Sequence, residues 1–236
     1  MTLLALEHVD KTYYRGGRHR LQILRGVSLQ VDAGELVAVV ADPTAGKTTL
    51  LRIAAGLEPS DAGTVQLGGQ PLPATADPDP RLALVTRTPP PRETITMRML
   101  DLVAIPLLEQ MSLSKAHRRV TPLLEALGVG DLSSATWVEL SDAERAAIRV
   151  AQAAVRRPLL LLVDDVMAGL GIAHVDAVLG CLRHAADDDG TAVLMTAGSL
   201  EETARVDTLY SLSAGSLVAM SASERGQVLD FPAERR

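Results

Sequence analysis

Residues 36–40 read Leu-Val-Ala-Val-Val, and within six residues the chain reaches Gly46-Lys47-Thr48-Thr49 and then Leu50-Leu-Arg-Ile-Ala-Ala-Gly56. Few features restrict a fold more. An all-apolar run of strand length has to be covered on both faces, which is the situation of a central parallel strand. The polar turn leaves that strand at its carboxyl end and enters a helix, which Gly56 is suited to terminate. A strand, a tight turn and a helix in this order predict an α/β domain with helices packed on a largely parallel sheet.

The turn has a chemistry of its own. A phosphate-binding loop needs backbone N–H groups curled around phosphate oxygens at a helix N-terminus. It also needs a lysine as a point charge and a hydroxyl for Mg²⁺, in the pattern Gly, four residues, Gly-Lys-Ser/Thr. Here the loop is Ala41-Asp42-Pro43-Thr44-Ala45-Gly46-Lys47-Thr48, followed by Thr49. Ala41 replaces the first glycine, and an inward-pointing Asp42 would repel phosphate. A second element is the run Leu159-Leu-Leu-Leu-Val-Asp164-Asp165. An acid at the carboxyl end of an apolar strand suits Mg²⁺ beside a phosphate loop. Thr48 and Asp164 are therefore the expected metal ligands. An ordinary strand-to-helix turn and a turn-forming Asp are the plainer readings of each element alone.

Around these two elements, strands are expected at 3–9, 21–31, 82–86 and 192–195. The polar, glycine-bearing segment 14–20 between the first two reads as a solvated hairpin loop. Helices are expected at 97–110, kinked or ended by Pro106, at 114–127 with Gly128 beyond it, and at 174–186. Ser141-Asp-Ala-Glu144 has capping-box spacing and opens a further helix to about residue 156. The sequence thus predicts an α/β core over 1–94 and 157–220, a helical segment inserted at 95–156, and a tail at 221–236.

Composition removes other classes. With 23 basic and 29 acidic residues the net charge is −6, so the basic footprint of a nucleic-acid binder is missing. Only five aromatic residues, Tyr13, Tyr14, Trp137, Tyr210 and Phe231, leave little for a base-stacking platform. Cys181 is the single cysteine; no internal disulfide is possible, and a packed thiol is expected. The longest apolar run is far short of a membrane span, and the N-terminus has no basic segment of the kind that opens a signal peptide. Any membrane contact is expected to pass through a partner.

The order of elements resembles the nucleotide-binding subunit of ABC transporters, closest to the lipoprotein-release and macrolide-export type. Val9-Asp-Lys-Thr-Tyr13 is similar to the segment whose tyrosine stacks on adenine. Leu24-Arg-Gly-Val-Ser-Leu-Gln-Val-Asp-Ala-Gly-Glu-Leu-Val-Ala-Val-Val resembles the run into the phosphate loop. Ala104-Ile-Pro-Leu-Leu, Leu124-Glu-Ala-Leu-Gly-Val-Gly-Asp, Glu139-Leu-Ser and Arg157-Pro-Leu-Leu-Leu-Leu-Val-Asp follow the family in order and spacing. The resemblance implies a single domain: a P-loop NTPase core of mixed sheet and flanking helices, with an N-terminal antiparallel β part and an inserted helical subdomain. It also implies ATP and Mg²⁺ as cofactors. An integral membrane transporter subunit is the implied partner, contacted by the helical lobe and residues 88–98.

Departures from the family cluster at the catalytic positions. Arg87 stands where the family has a glutamine that contacts metal and attacking water. The signature Leu-Ser-Gly-Gly-Gln/Glu becomes Leu140-Ser141-Asp142-Ala143-Glu144, placing a carboxylate where backbone approaches the partner's phosphate. Asp165 replaces the catalytic glutamate and is one methylene shorter. Ala197 falls where the switch histidine belongs, and Gly171 where an aspartate contacts the partner. The retained residues are those of binding, the lost ones those of hydrolysis. The expectation is an ATP-binding subunit with weak or no hydrolysis of its own, on the inner face of the cell membrane. Its companion is a second nucleotide-binding subunit, a more complete one in preference to a second copy. A fully active transport ATPase and an ABC-like nucleotide sensor are the alternatives.

Overall fold

A computed structural model describes residues 1–15, 19–75, 77 and 79–221. The expected tail therefore lies outside the described residues beyond Ser221. Two sheets divide the strands. The first is antiparallel, in the order β2-β1-β4-β5, from β1 (Thr2–Arg15), β2 (His19–Asp32), β4 (Ala62–Leu67) and β5 (Gln70–Pro71). The second has six strands in the order β10-β9-β3-β8-β7-β6. It comprises β3 (Leu36–Val40), β6 (Leu82–Val85), β7 (Leu160–Val163), β8 (Ala192–Ala197), β9 (Thr208–Ser213) and β10 (Ser216–Ala219). All its neighbours run parallel except the β9–β10 hairpin.

β3 is buried along its whole length, between β8 and β9. That is the central position its unbroken apolar run predicts. The helices are α1 (Lys47–Ala54), α2 (Met99–Ala104), α3 (Leu113–Ala126), α4 (Asp142–Ala154) and α5 (Ile172–Asp187). One apolar core lies between the two sheets and α1. A second joins the opposite face of the large sheet to α2 through α5 and includes Trp137 and Cys181.

Several boundaries differ from expectation. The first hairpin pairs Tyr14 with Arg20 and Arg15 with His19, so four residues of the expected loop at 14–20 lie in strands, and 16–18 lie outside the described residues. Register shifts along β1 let the pairing continue past residue 9, where apolar alternation ends. β4 has little apolar alternation to reveal it. Gly63, at φ +85°, permits the crossing, because a Cβ there would lie 2.5 Å from the Glu7 and His8 carbonyl oxygens. The expected helix 97–110 is α2 followed by a 3-10 turn at Ile105–Leu107, since Pro106 removes a donor. The β9–β10 hairpin turns through Ala214 and Gly215, both at positive φ. No described helix is long and apolar enough to cross a membrane.

Candidate nucleotide site

The loop between β3 and α1 is pinned from both sides. Ala41 N–H donates to the Ala197 carbonyl at 3.2 Å, tying the end of β3 to the end of β8. Ala45 N–H closes a turn on the Asp42 carbonyl at 3.1 Å. Gly46 is the N-cap of α1 at φ 105°, and no side chain caps the helix. The first-turn amides are left free for an outside acceptor. A side chain at position 46 is excluded twice: by the backbone angle, and because a Cβ would meet Ile23 Cγ2 at 2.5 Å. Asp42, Pro43 and Thr44 are exposed.

Lys47 is buried and folded back on its own loop. Its Nζ donates to the Ala41 carbonyl at 2.8 Å and lies 3.5 Å from Asp165 Oδ1. Thr48 Oγ1 donates to Asp164 Oδ2 at 2.8 Å. The sites read separately from 41–49 and 159–165 are thus one site, brought together because β3 and β7 flank β8. Asp165 sits at φ 54°, a conformation Asp adopts more readily than most residues. Its Oδ1 is buried without a hydrogen bond.

Two further residues belong to this cluster and were missed in the sequence. The Thr196 hydroxyl accepts from Asp165 N–H at 3.0 Å and donates to Asp164 Oδ1 at 3.1 Å. It holds both acids, and a lone polar residue inside the run of β8 was its only signal. Glu202 follows β8 on a 3-10 turn, is buried, and accepts from Gly198 N–H at 3.1 Å. Burial pushes its carboxyl up, and the negative Asp165 adds to this, while Lys47 opposes it. Nothing in the sequence marks that residue.

The remaining expected residues lie around this centre at different removes. Tyr13, on β1, donates to Glu58 and shares a 3.3 Å contact with Thr49 Oγ1, so it stands beside α1. Burial and the Glu58 hydrogen bond raise its phenol pKa. Lys11 Nζ reaches Glu58 at 3.1 Å and the Pro59 carbonyl at 2.7 Å. Arg87 is exposed beyond β6, and its carbonyl accepts from Arg149 at 2.8 Å.

Leu140 is buried, and Ser141 caps α4 through a reciprocal box with Glu144. The Ser141 N–H and hydroxyl both donate to Glu144 Oε2 at 2.7 Å, holding that carboxyl below its usual range. Asp142 is exposed and faces Arg145 at 3.1 Å, with Ala143 beside it. Ala197 is fully buried at the end of β8. His8 and His174 are exposed, while His117 and His184 bind Asp101 and Asp188. Cys181 is buried, and burial pushes its thiol up to about 12.

Among the described residues no three His, Cys, Asp or Glu side chains converge as a metal centre. The Thr48–Asp164 pair offers oxygen donors only. That suits a hard cation such as Mg²⁺, which takes its other ligands from phosphate and water.

A family model for ABC transporters matches residues 24–168. The lipoprotein-releasing system ATP-binding protein LolD of Ruegeria sp. (strain TM1040) is 32% identical over 227 residues, covering 91% of this chain and 97% of that protein. An uncharacterized ABC transporter ATP-binding protein of Escherichia coli (strain K12), YbbA, is 31% identical, covering 91% and 96%. Among solved structures, a nucleotide-free ATP-binding cassette from an ABC transporter superposes with a TM-score of 0.79 at 20% identity, over 98% of this chain and 96% of that one. That identity carries the fold. From the family match and the identity across the chain's length, this chain belongs to the ABC transporter family and is similar to the ATP-binding subunits of lipoprotein-releasing systems.

Proposed function

We propose that this subunit binds ATP with Mg²⁺ in the loop 41–49 and hydrolyses it slowly or not at all. The observation that carries the reading is the Thr48–Asp164 contact at 2.8 Å, with Lys47 Nζ 3.5 Å from Asp165. In this reading the loop amides and Lys47 take the phosphates. Thr48 and Asp164 supply protein oxygens for Mg²⁺, which when bound offsets phosphate charge. Tyr13 lies beside the base. Asp165 is the remaining acid for hydrolysis and is too short to orient water as a glutamate would. Arg87 occupies the position of a water-orienting glutamine, and an arginine there supplies charge in place of a neutral amide.

Two features support weak turnover. Ala197 has no side chain that could reach a terminal phosphate. The segment 140–144 carries Asp142 and Ala143 where a close approach of a second subunit calls for glycines. The subunit is proposed to work on the cytoplasmic face beside a membrane-embedded subunit, with 95–156 and 88–98 facing that partner. A more complete nucleotide-binding chain completes the pair.

Calorimetry with ATP and Mg²⁺ tests the binding, and phosphate release tests the turnover. Saturable binding that Lys47→Ala abolishes, with turnover far below about one per second, is expected. Absence of binding at millimolar nucleotide would refute the site, and turnover at ordinary enzyme rates would show an active ATPase.

A further inference from the structure

The loop site has two unlike ends. At one, Tyr13 stands beside Thr49. At the other, Lys47 Nζ lies 3.5 Å from Asp165 Oδ1, an oxygen that is buried and accepts no hydrogen bond. In a phosphate loop the lysine reaches the β- and γ-phosphates. The Lys47 end is therefore where a triphosphate would terminate.

That end carries a second acid. Glu202 is buried on the 3-10 turn after β8. Burial opposes its charge, the neighbouring Asp165 opposes it further, and Lys47 favours it. Two carboxylates thus compete for one lysine. A phosphate arriving there takes Lys47 from Asp165, whose Oδ1 has no hydrogen bond to fall back on. It also adds negative charge beside a buried acid, where like charges repel more strongly than in water.

Hydrogen-bond donors at that end are already committed. Ala41 N–H donates to the Ala197 carbonyl at 3.2 Å, Asp165 N–H to Thr196 Oγ1 at 3.0 Å and Gly198 N–H to Glu202 Oε2 at 3.1 Å. The Thr196 hydroxyl donates to Asp164, and Ser199 hydrogen-bonds Glu201. Ala197 and Gly198 have no side-chain donor to offer. The start of α1 is different: no side chain caps it, and its amides remain for the inner phosphates.

We propose that this is a nucleoside-diphosphate site: the loop amides and Lys47 hold two phosphates, and Glu202 with Asp165 cancels the gain from a third. Glu202 is then a specificity-determining residue. The inference deepens the proposed nucleotide site and rests on it. Arg87, exposed beyond β6, is the cation that would oppose this preference if it reached the third phosphate.

Calorimetry on the whole chain with ADP and with ATP, both in Mg²⁺, tests the inference. ADP should bind at least as tightly as ATP. Glu202→Gln keeps an acceptor for Gly198 N–H and removes the charge. It should tighten ATP roughly three- to tenfold and leave ADP nearly unchanged. A purely structural role for Glu202 would move both nucleotides together. Asp165→Asn, which leaves Glu202 in place, should shift the preference the same way, and it decides the matter if Glu202→Gln does not fold. Wild-type affinity for ATP about tenfold or more above that for ADP, or equal effects of the variants on the two nucleotides, would overturn the inference. So would an Arg87→Gln variant that loses affinity for ATP alone. Binding of neither nucleotide at millimolar concentration would instead refute the nucleotide site itself.

Discussion

Thr48 Oγ1 lies 2.8 Å from Asp164 Oδ2 although 116 residues separate them. The contact ties the start of α1 to the end of β7, and Thr196 on the intervening strand holds the same carboxylate from its other oxygen. Three adjacent strands each contribute one element of the site, so its geometry depends on sheet order as well as on the loop.

Gly46 is where loop shape and packing meet. Gly46→Ala would force a Cβ to 2.5 Å from Ile23 Cγ2 at φ 105°. Backbone strain of this kind costs about 1–3 kcal/mol, and ATP affinity should fall with stability. Adding Ile23→Ala removes the clash but not the angle. Chemical denaturation should therefore show the double variant less unstable than the sum of the single changes. Strict additivity would mean that the Ile23 contact does not matter.

Glu58 joins Tyr13, Lys11 and Arg52 beside α1. Burial alone would raise its carboxyl, yet the hydrogen bonds from Tyr13 and Lys11 and the nearby cations outweigh this and lower it. A lowered folded pKa contributes stability above the ordinary carboxylate value of about 4.5, lost as pH falls through the folded value. Glu58→Ala should cost about 1–3 kcal/mol at neutral pH by leaving buried Lys11 with one carbonyl partner. Its stability should also fall less steeply below pH 4.5 than that of the wild type. Parallel acid profiles would contradict this account.

Glu202 has the opposite sign. Its carboxyl is raised, by burial first and by Asp165 second. A raised folded pKa gives stability that is complete below the ordinary value and is lost as pH rises through the folded one. Glu202→Gln preserves an acceptor for Gly198 N–H and removes the titration. Thermal unfolding followed upward from pH 4.5 should show the wild type losing ground relative to the variant. If the difference between them is constant with pH, Glu202 does not titrate there.

Asp165→Glu alone should not restore turnover, because residues that act as a catalytic unit are strongly non-additive. Ala197→His should fail for a further reason. Ala197 is fully buried, and overpacking a core position costs typically about 1–3 kcal/mol. Phosphate release and melting curves on both single variants and their double check this. Ordinary ATPase turnover in Asp165→Glu would show the other departures to be harmless.

Much of this molecule was legible in local sequence. Burial on both faces demanded the central place of β3, Gly46-Lys47-Thr48 marked the turn from β3 into α1, and Ser141 with Glu144 fixed the start of α4. These are short-range consequences of hydrophobic patterning and capping. Tertiary structure decided the rest. It extended β1 through irregular register, turned Ala62–Leu67 into a strand with little apolar alternation, and collected Thr196 from β8 and Glu202 from the 3-10 turn after it. Sequence periodicity states which face of a strand or helix is buried. Which side chains from distant elements then meet is set by strand order and long-range packing, and no local pattern encodes that.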